Sequence, residues 1–230
     1  MAKKAVVVLS GGLDSTTCMG IANREGYALY PLTFSYGQRH QREVEQAKKI
    51  AAYYGVSEHR IVDLDFFKQL GGSALTDKSI EVPDDGEEKG IPVTYVPARN
   101  MIFFSLASAY AEVIGAETIF TGVSSVDYSG YPDCRPEFIA SMSETINLAT
   151  KSGVTDHHLT IKTPLMHLTK GETVRLGTEL GVPYQLTTSC YNGEEEACGT
   201  CDSCRLRIKG FKEAGQIDPI SYRIPINWLN

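Results

Sequence analysis

The chain has 230 residues, a formal net charge of -6 and 42% hydrophobic residues, enough to bury a sizeable core in one large domain or two small ones. No stretch approaches the ~18 uninterrupted apolar residues of a membrane span, and the N-terminus lacks the apolar core of a signal peptide, so a cytoplasmic protein is expected. The acidic balance argues against a surface that grips nucleic acid through its phosphates and favours small-molecule substrates.

The apolar run from Ala5 to Leu9 reads as a buried strand. Ser10-Gly11-Gly12-Leu13-Asp14-Ser15 follows it directly, ahead of a helical pattern from Ser15 to Glu25. Two glycines let the backbone turn sharply and approach a ligand, and the N–H groups of the turn and the helix start converge on an anion. The hydroxyls of Ser10, Ser15, Thr16 and Thr17 add neutral donors for phosphate oxygens, and Asp14 can orient the loop or a magnesium ion. An ordinary Gly-Gly turn with a capping Ser or Asp is the plainer reading; the strand-turn-helix context favours a phosphate cradle. The loop is neither G-x-G-x-x-G nor G-x-x-x-x-G-K-[ST].

Further short apolar or β-branched runs follow at Ala28 to Phe34, Arg60 to Leu64, Thr118 to Thr121 and Leu159 to Lys162. Helical patterns lie between them at Gln41 to Tyr54, Asn100 to Ile114 and Pro136 to Ala149. This rhythm predicts an α/β fold, a doubly wound parallel sheet of about five strands with ligands at the carboxyl ends of the strands. The polar, acidic stretch from Gly71 to Gly90 breaks the rhythm and reads as a surface excursion or lid.

Three strand-end loops are rich in polar residues. Ser35-Tyr36-Gly37-Gln38-Arg39-His40 follows the second strand, and Pro97-Ala98-Arg99-Asn100 opens a helix. Arg39 and His40 read equally well as a solvated helix start, and Asn100 as an N-cap. The third loop, Gly122 to Arg135, carries Asp127, Tyr131, Asp133 and Arg135 and suits a flat, donor-rich ring.

Four of the six cysteines, Cys190, Cys198, Cys201 and Cys204, cluster near the C-terminus as C-x7-C-x2-C-x2-C. In a cytosolic chain such clustering reads as metal binding, and four thiolates suit a closed, structural zinc site. An iron-sulfur cluster and a redox dithiol from Cys201 and Cys204 are the competing readings. Cys18 reads as a buried small thiol on the first helix. A short helix is expected near Ser203 to Ala214. A soft boundary after Gly181-Val182-Pro183 separates a nucleotide domain, residues 1–183, from a zinc-binding subdomain and tail, residues 184–230. The apolar tail Ile220 to Leu229, with Trp228, suits either a dimer contact or core.

The Ser10 loop resembles the pyrophosphate loop of the ATP-pyrophosphatase superfamily, whose adenine nucleotide alpha hydrolase-like members usually hold ATP for attack on the α-phosphate. Taken with Tyr36-Gly37-Gln38-Arg39-His40, Val96-Pro97-Ala98-Arg99-Asn100, Ser129-Gly130-Tyr131-Pro132-Asp133-Cys134-Arg135, Thr163-Pro164-Leu165 and Cys190-Tyr191-Asn192-Gly193 with the Cys198 triplet, the chain is similar to the 7-cyano-7-deazaguanine synthase family. Ala98 departs from the family, many of whose members carry Gly there. The resemblance implies conversion of 7-carboxy-7-deazaguanine, ammonia and ATP to the nitrile precursor of queuosine, with one activation of the carboxylate and one of the amide.

It further implies that Leu9, Ser10, Gly11, Gly12, Leu13, Asp14, Ser15, Thr16, Thr17, Cys18 and Met19 hold ATP with Mg2+. Catalysis would fall to Ser10, Asp14, Ser15 and Arg99, and the deazaguanine to Arg39, Asp127, Tyr131, Asp133 and Arg135, with Asp127 or Asp133 accepting from the ring. Zinc would sit on Cys190, Cys198, Cys201 and Cys204. No residue is nominated as a general base, and no glutaminase segment supplies ammonia. A superfamily adenylase acting directly on tRNA and a non-catalytic nucleotide-sensing zinc module are the alternatives. Neither stable nucleic-acid binding nor membrane association is expected, and a homodimer is left open.

Overall fold

Three consecutive fully buried residues, Ala5, Val6 and Val7, make β1 (Lys4–Val8) the centre of the molecule. A strand apolar on both faces must be covered on both faces. The computed structural model describes residues 2–38, 42–83, 90–126, 130–155, 157–193 and 195–228. Their elements in chain order are β1, α1 (Leu13–Arg24), β2 (Ala28–Ser35), α2 (Arg42–Tyr53), β3 (Arg60–Asp63), α3 (Phe66–Leu70), α4 (Arg99–Ile114), β4 (Thr118–Phe120), α5 (Pro136–Ala149), α6 (Lys151–Val154), β5 (Thr160–Lys162), α7 (Lys170–Glu179) and α8 (Asp202–Glu213).

Among the described residues the strands form one five-stranded parallel sheet in the order β3-β2-β1-β4-β5. Val6 pairs with Tyr30 on one side and Ile119 on the other. Alternation along β1 assigns its residues to two layers. Val6 joins Phe103, Phe104 and Ala107 of α4 and Ile139, Met142 and Ile146 of α5. Ala5 and Val7 join Cys18, Met19 and Ala22 of α1, while Leu9 joins Ala47, Ile50 and Ala51 of α2. The expected doubly wound sheet is thus present, with the strand order reversing between β1 and β4. No helix among the described residues is long and apolar enough to cross a membrane.

Three helices were not anticipated from the sequence: α3, α6 and α7. The last is set by a capping box, in which Thr169 Oγ1 accepts from the Glu172 N–H and the Glu172 carboxylate accepts from the Thr169 N–H at 2.8 Å. The stretch expected to be a polar excursion is anchored in its first part, where Ser73 and Ala74 are fully buried and Ala74 donates to the Val93 carbonyl. Its acidic run, Asp84 to Lys89, lies outside the described residues, as do Arg39, His40, Asp127, Tyr128, Ser129 and Leu229.

The segment after residue 183 packs onto what precedes it. Tyr184 and Phe211 share an apolar cluster with Leu13 and Val174, and Trp228 lies against the same cluster. The Tyr184 hydroxyl is 2.9 Å from Thr17 Oγ1. The apolar tail, where described, therefore contacts its own chain.

Candidate active site

At the strand-order reversal, the loop after β1 and the loop after β4 meet. Gly11 has φ +87°, and a Cβ there would collide with the Glu43 carbonyl oxygen; both its dihedral and the close approach require glycine. A Cβ on Gly122 would sit 2.8 Å from the Asp14 carbonyl carbon and 2.9 Å from the Ser15 nitrogen. The two loops are in backbone contact, which opens a cleft above them.

Ser10 and Ser15 brace this turn. Their hydroxyls lie 3.0 Å apart, Ser15 Oγ accepts from the Ser10 N–H at 3.1 Å and Ser10 Oγ accepts from the Gly12 N–H at 3.3 Å. Gly12 occupies the N-cap of α1 without any side-chain cap, so the first-turn amides and the positive end of the helix dipole face the cleft lined by Ser10, Gly12, Leu13, Asp14 and Ser15. Both Asp14 oxygens accept from Lys170 Nζ, at 2.8 and 2.9 Å, and the lysine side chain is only 6% exposed. Lys170 was missed by the sequence reading because α7, which carries it, was missed.

The other residues expected to hold nucleotide divide differently. Thr16 Oγ1 donates to the Gly12 carbonyl at 2.7 Å, and Thr17 Oγ1 donates to the Leu13 carbonyl and meets Tyr184. Leu9, Cys18 and Met19 are core residues. Burial pushes the Cys18 thiol well up, helped by Asp14, and keeps it an inert packing group.

Across the cleft stand Arg99, Asn100 and Phe103 from the start of α4, with Tyr36, Gln38 and Glu43 beside them. One guanidinium nitrogen of Arg99 donates to the Tyr36 hydroxyl at 3.3 Å, and the cation lies 5.6 Å from the Tyr36 ring centroid. Its Nε is buried without a hydrogen-bond partner among the described residues. Burial raises the Tyr36 hydroxyl to about 12 and the Glu43 carboxyl to about 7, the latter against the lowering pull of Arg99 and a hydrogen bond from Gln38.

The third expected loop reaches the cleft through Tyr131 and Cys134. Tyr131 is held by Thr94, hydroxyl to hydroxyl at 2.7 Å. Asp133 faces another way: it is 6% exposed and its Oδ2 accepts from the Asn100 N–H at 3.1 Å, while its carbonyl accepts from Asn100 Nδ2. Asn100 is therefore not the N-cap. Ala98 holds that position with φ 58° and no side-chain cap, and Asp133 supplies the missing acceptor from a distant loop. Arg135 is exposed and its Nε donates to the Pro132 carbonyl.

The C-terminal segment closes the remaining side with Thr188, Ser189, Tyr191 and Ser203. Thr188 donates its N–H to the Gly11 carbonyl at 3.0 Å. Cys190, Cys198, Cys201 and Cys204 are all buried, with their sulfurs within 4.8 Å of one another. The Cys198 N–H points at Cys190 Sγ and those of Thr200 and Cys201 at Cys198 Sγ, each at 3.4 Å. Hydrogen bonds from Cys201 and Cys204 draw the Cys190 thiol well below its usual range. Backbone donors aimed at four clustered, buried sulfurs fit a metal site, and the four cysteines can hold one ion. Tyr191 and Ser203, beside or between these cysteines, are cleft residues, so the metal site and the cleft share a wall.

Comparison with known proteins now decides the family. The model of the queuosine biosynthesis protein QueC matches residues 4–215. The chain belongs to the QueC family. It is 61% identical over 220 residues to the 7-cyano-7-deazaguanine synthase of Oceanobacillus iheyensis, covering 96% of this chain and 98% of that protein. A QueC relative from Desulfitobacterium hafniense with the same name is 62% identical, covering 96% and 93%. Among solved structures, an NMN synthetase from Francisella tularensis aligns with a TM-score of 0.53 at 15% identity, covering 94% of this chain and 79% of that one. A 4-thiouridine synthetase bound to RNA and ATP aligns with a TM-score of 0.51 at 19% identity, covering 92% and 50%. At such identities these two establish only that this QueC member has the adenine nucleotide alpha hydrolase-like fold.

Proposed function

We propose that this chain converts 7-carboxy-7-deazaguanine, ammonia and ATP to 7-cyano-7-deazaguanine, in the cytoplasm. The observation that carries the reading is a single cleft holding an uncapped helix N-terminus on one wall and Arg99, with a buried unpartnered Nε, on the other. Two facing anion sites suit a triphosphate whose pyrophosphate end rests on the Ser10–Ser15 loop. A carboxylate must gain a good leaving group before ammonia can displace its oxygen, and adenylation supplies one. We assign Ser10, Ser15 and Arg99 to charge stabilisation in that step, and Asp14 to fixing Lys170 beside the loop. Mg2+ accompanies the ATP phosphates as their counterion.

Tyr131 is assigned to the deazaguanine, as are Arg39, Asp127 and Arg135. Asp133 supports that loop through Asn100 while remaining the rival to Asp127 for the ring N–H groups. The metal is taken to be zinc, because four thiolates leave no open position and a closed tetrahedral site is structural. Residues 184–230 form the zinc-stapled wall of the cleft, and residues 1–183 the nucleotide domain.

The test is mass spectrometry of a reaction with oxygen-18 in the substrate carboxylate. Nitrile with label in AMP supports the assignment. Nitrile with label only in inorganic phosphate and ADP as sole nucleotide product refutes adenylation, and no nitrile at all refutes the reaction.

A further inference from the structure

Making a nitrile from a carboxylate and ammonia removes protons from nitrogen at every stage. In the first round the ammonia lone pair attacks the acyl carbon, the carbon–nitrogen bond forms, the bond to the AMP oxygen breaks, and the nitrogen gives up one proton. In the second, the amide oxygen attacks the α-phosphate and pyrophosphate leaves. Both remaining N–H protons then depart as the carbon–oxygen bond to AMP breaks and the triple bond forms. A base beside the reacting carbon is therefore needed in both rounds.

The described residues of the cleft offer few. Asp14 is held through both oxygens by Lys170. Tyr36 and Cys134, each raised to about 12 chiefly by burial, stay protonated at neutral pH. Tyr131 is raised by burial as well. Glu43 differs. It stands in the first turn of α2, lines the cleft, and its backbone carbonyl abuts Gly11 of the phosphate loop. From β2 and its loop it faces Tyr36 and Gln38, and from α4 it faces Arg99.

We infer that the Glu43 carboxylate is the base that takes these protons from nitrogen, releasing them to solvent between rounds. The inference rests on the carboxylate-to-nitrile reading above and adds the group that reading lacks. Burial holds the carboxyl at about 7, with Arg99 and Gln38 as the lowering influences. A base poised near the working pH is the efficient case. Nucleotide phosphate on Arg99 offsets its pull, so the limb in the loaded complex falls at about 7 or above.

Two assays on the full metal-loaded chain separate the steps. Carboxylate-dependent exchange of pyrophosphate into ATP, without ammonium, reads activation alone. Ammonium-dependent amide and nitrile formation, expressed per free NH3 across pH, reads the steps that need the base. Glu43→Gln should lower the second rate about 100-fold and by at least about tenfold more than it lowers exchange. The acid limb of the wild-type profile should vanish in Glu43→Gln and persist in Glu43→Asp, which also covers the case of a misfolded Gln variant. Equal loss in both assays, or an acid limb that survives in Glu43→Gln, overturns the inference. Wild-type protein that makes nitrile without exchange and releases ADP overturns the adenylation step instead, and the limb comparison then decides Glu43 alone.

Discussion

Arg207 is the buried charge on which the C-terminal wall of the cleft hangs. Its side chain is 2% exposed and that of its partner Asp218 0%. The guanidinium donates to Asp218 Oδ2 at 2.6 Å and Oδ1 at 2.9 Å, to Thr187 Oγ1 at 2.7 Å, to Ser189 Oγ at 3.4 Å and to the Tyr184 carbonyl at 3.3 Å. Asp218 further accepts from the Tyr222 hydroxyl at 2.7 Å. Replacing Arg207 by Leu removes every one of those donors and leaves an ionised carboxylate buried beside a single hydroxyl and a backbone N–H. Breaking a buried pair from one side costs about 3–5 kcal/mol. At about 2–4 °C per kcal/mol for a chain of this size, melting should fall by roughly 10 °C. The double variant Arg207→Leu/Asp218→Leu removes the stranded charge and should recover more than half of the loss, because a desolvated ion pair contributes far less than its rupture costs. Urea unfolding at fixed, saturating zinc is the assay, since metal bound only to the folded chain would otherwise shift both curves. A single variant within about 1 kcal/mol of wild type, or a double variant no better than the single, would refute the account.

Other perturbations have equally definite signs. The purified protein should carry about one zinc per chain, and Cys201→Ser should lower the melting temperature; a metal-free protein of unchanged stability would contradict the closed thiolate site. Ala98, at φ 58°, bears a left-handed strain of about 1 kcal/mol, so Ala98→Gly should fall between neutral and about 1 kcal/mol more stable once glycine's unfolded-state entropy is counted. Ala98→Val should be worse than either, and the order Gly, Ala, Val in unfolding midpoint checks it. Glu43 ionises near 4.5 in the unfolded chain and about 7 in the folded one. Its contribution to stability is therefore full below 4.5 and is lost as pH rises to about 7, by at most about 3 kcal/mol and by about 1–2 for a partly exposed carboxyl. Glu43→Gln should accordingly match wild type at about pH 4.5 and exceed it at about pH 8; an advantage equal at both pH values would rule this out.

The inner strands were legible because buried parallel strands are short β-branched and apolar runs; the mostly exposed edge strand β3 shows only Ile61-Val62 of that pattern, and each expected strand still lies within a residue or two of the observed one. The glycine turn after β1 was legible because its glycines and serines are consecutive, and the structure places it at the N-terminus of α1. What was not legible depended on partners remote in sequence. Asp133 reads as an exposed acceptor until α4 is seen to start beneath it without a cap of its own. Lys170 reads as a surface lysine until α7 places it against Asp14. Two signals were nevertheless present. Thr169-x-x-Glu172 is a capping box written in the sequence and would have given α7. In α8 the buried residues Cys204, Arg207 and Phe211 share one face at spacings of three and four, so Arg207 is a charge on the apolar stripe, where a lysine- and arginine-rich helix should not place one unless it is paired.

These buried pairs explain why a cysteine cluster belongs to this cleft. Residues 184–191 are seated at their start by Tyr184, buried in the cluster with Leu13, Val174 and Phe211, and the rest of the segment depends on polar anchors as well as on packing. Its position is further imposed at three points: Thr188 donates to Gly11 of the turn after β1, Thr187 and Ser189 accept from Arg207, and Cys190 joins the other three thiols. Tyr191 follows the last of these directly and hydrogen-bonds to Tyr131, so the wall that meets Tyr131 across the cleft is aligned by the same anchors that hold the segment down. Loosening the cysteine corner would free Tyr191 first and the Gly11 turn last, because Thr188 remains tied to Gly11 and Arg207 remains tied to Asp218. A metal held by the four cysteines would therefore act on the cleft through geometry: it would fix one aromatic side chain relative to a helix N-terminus that the sheet has already placed.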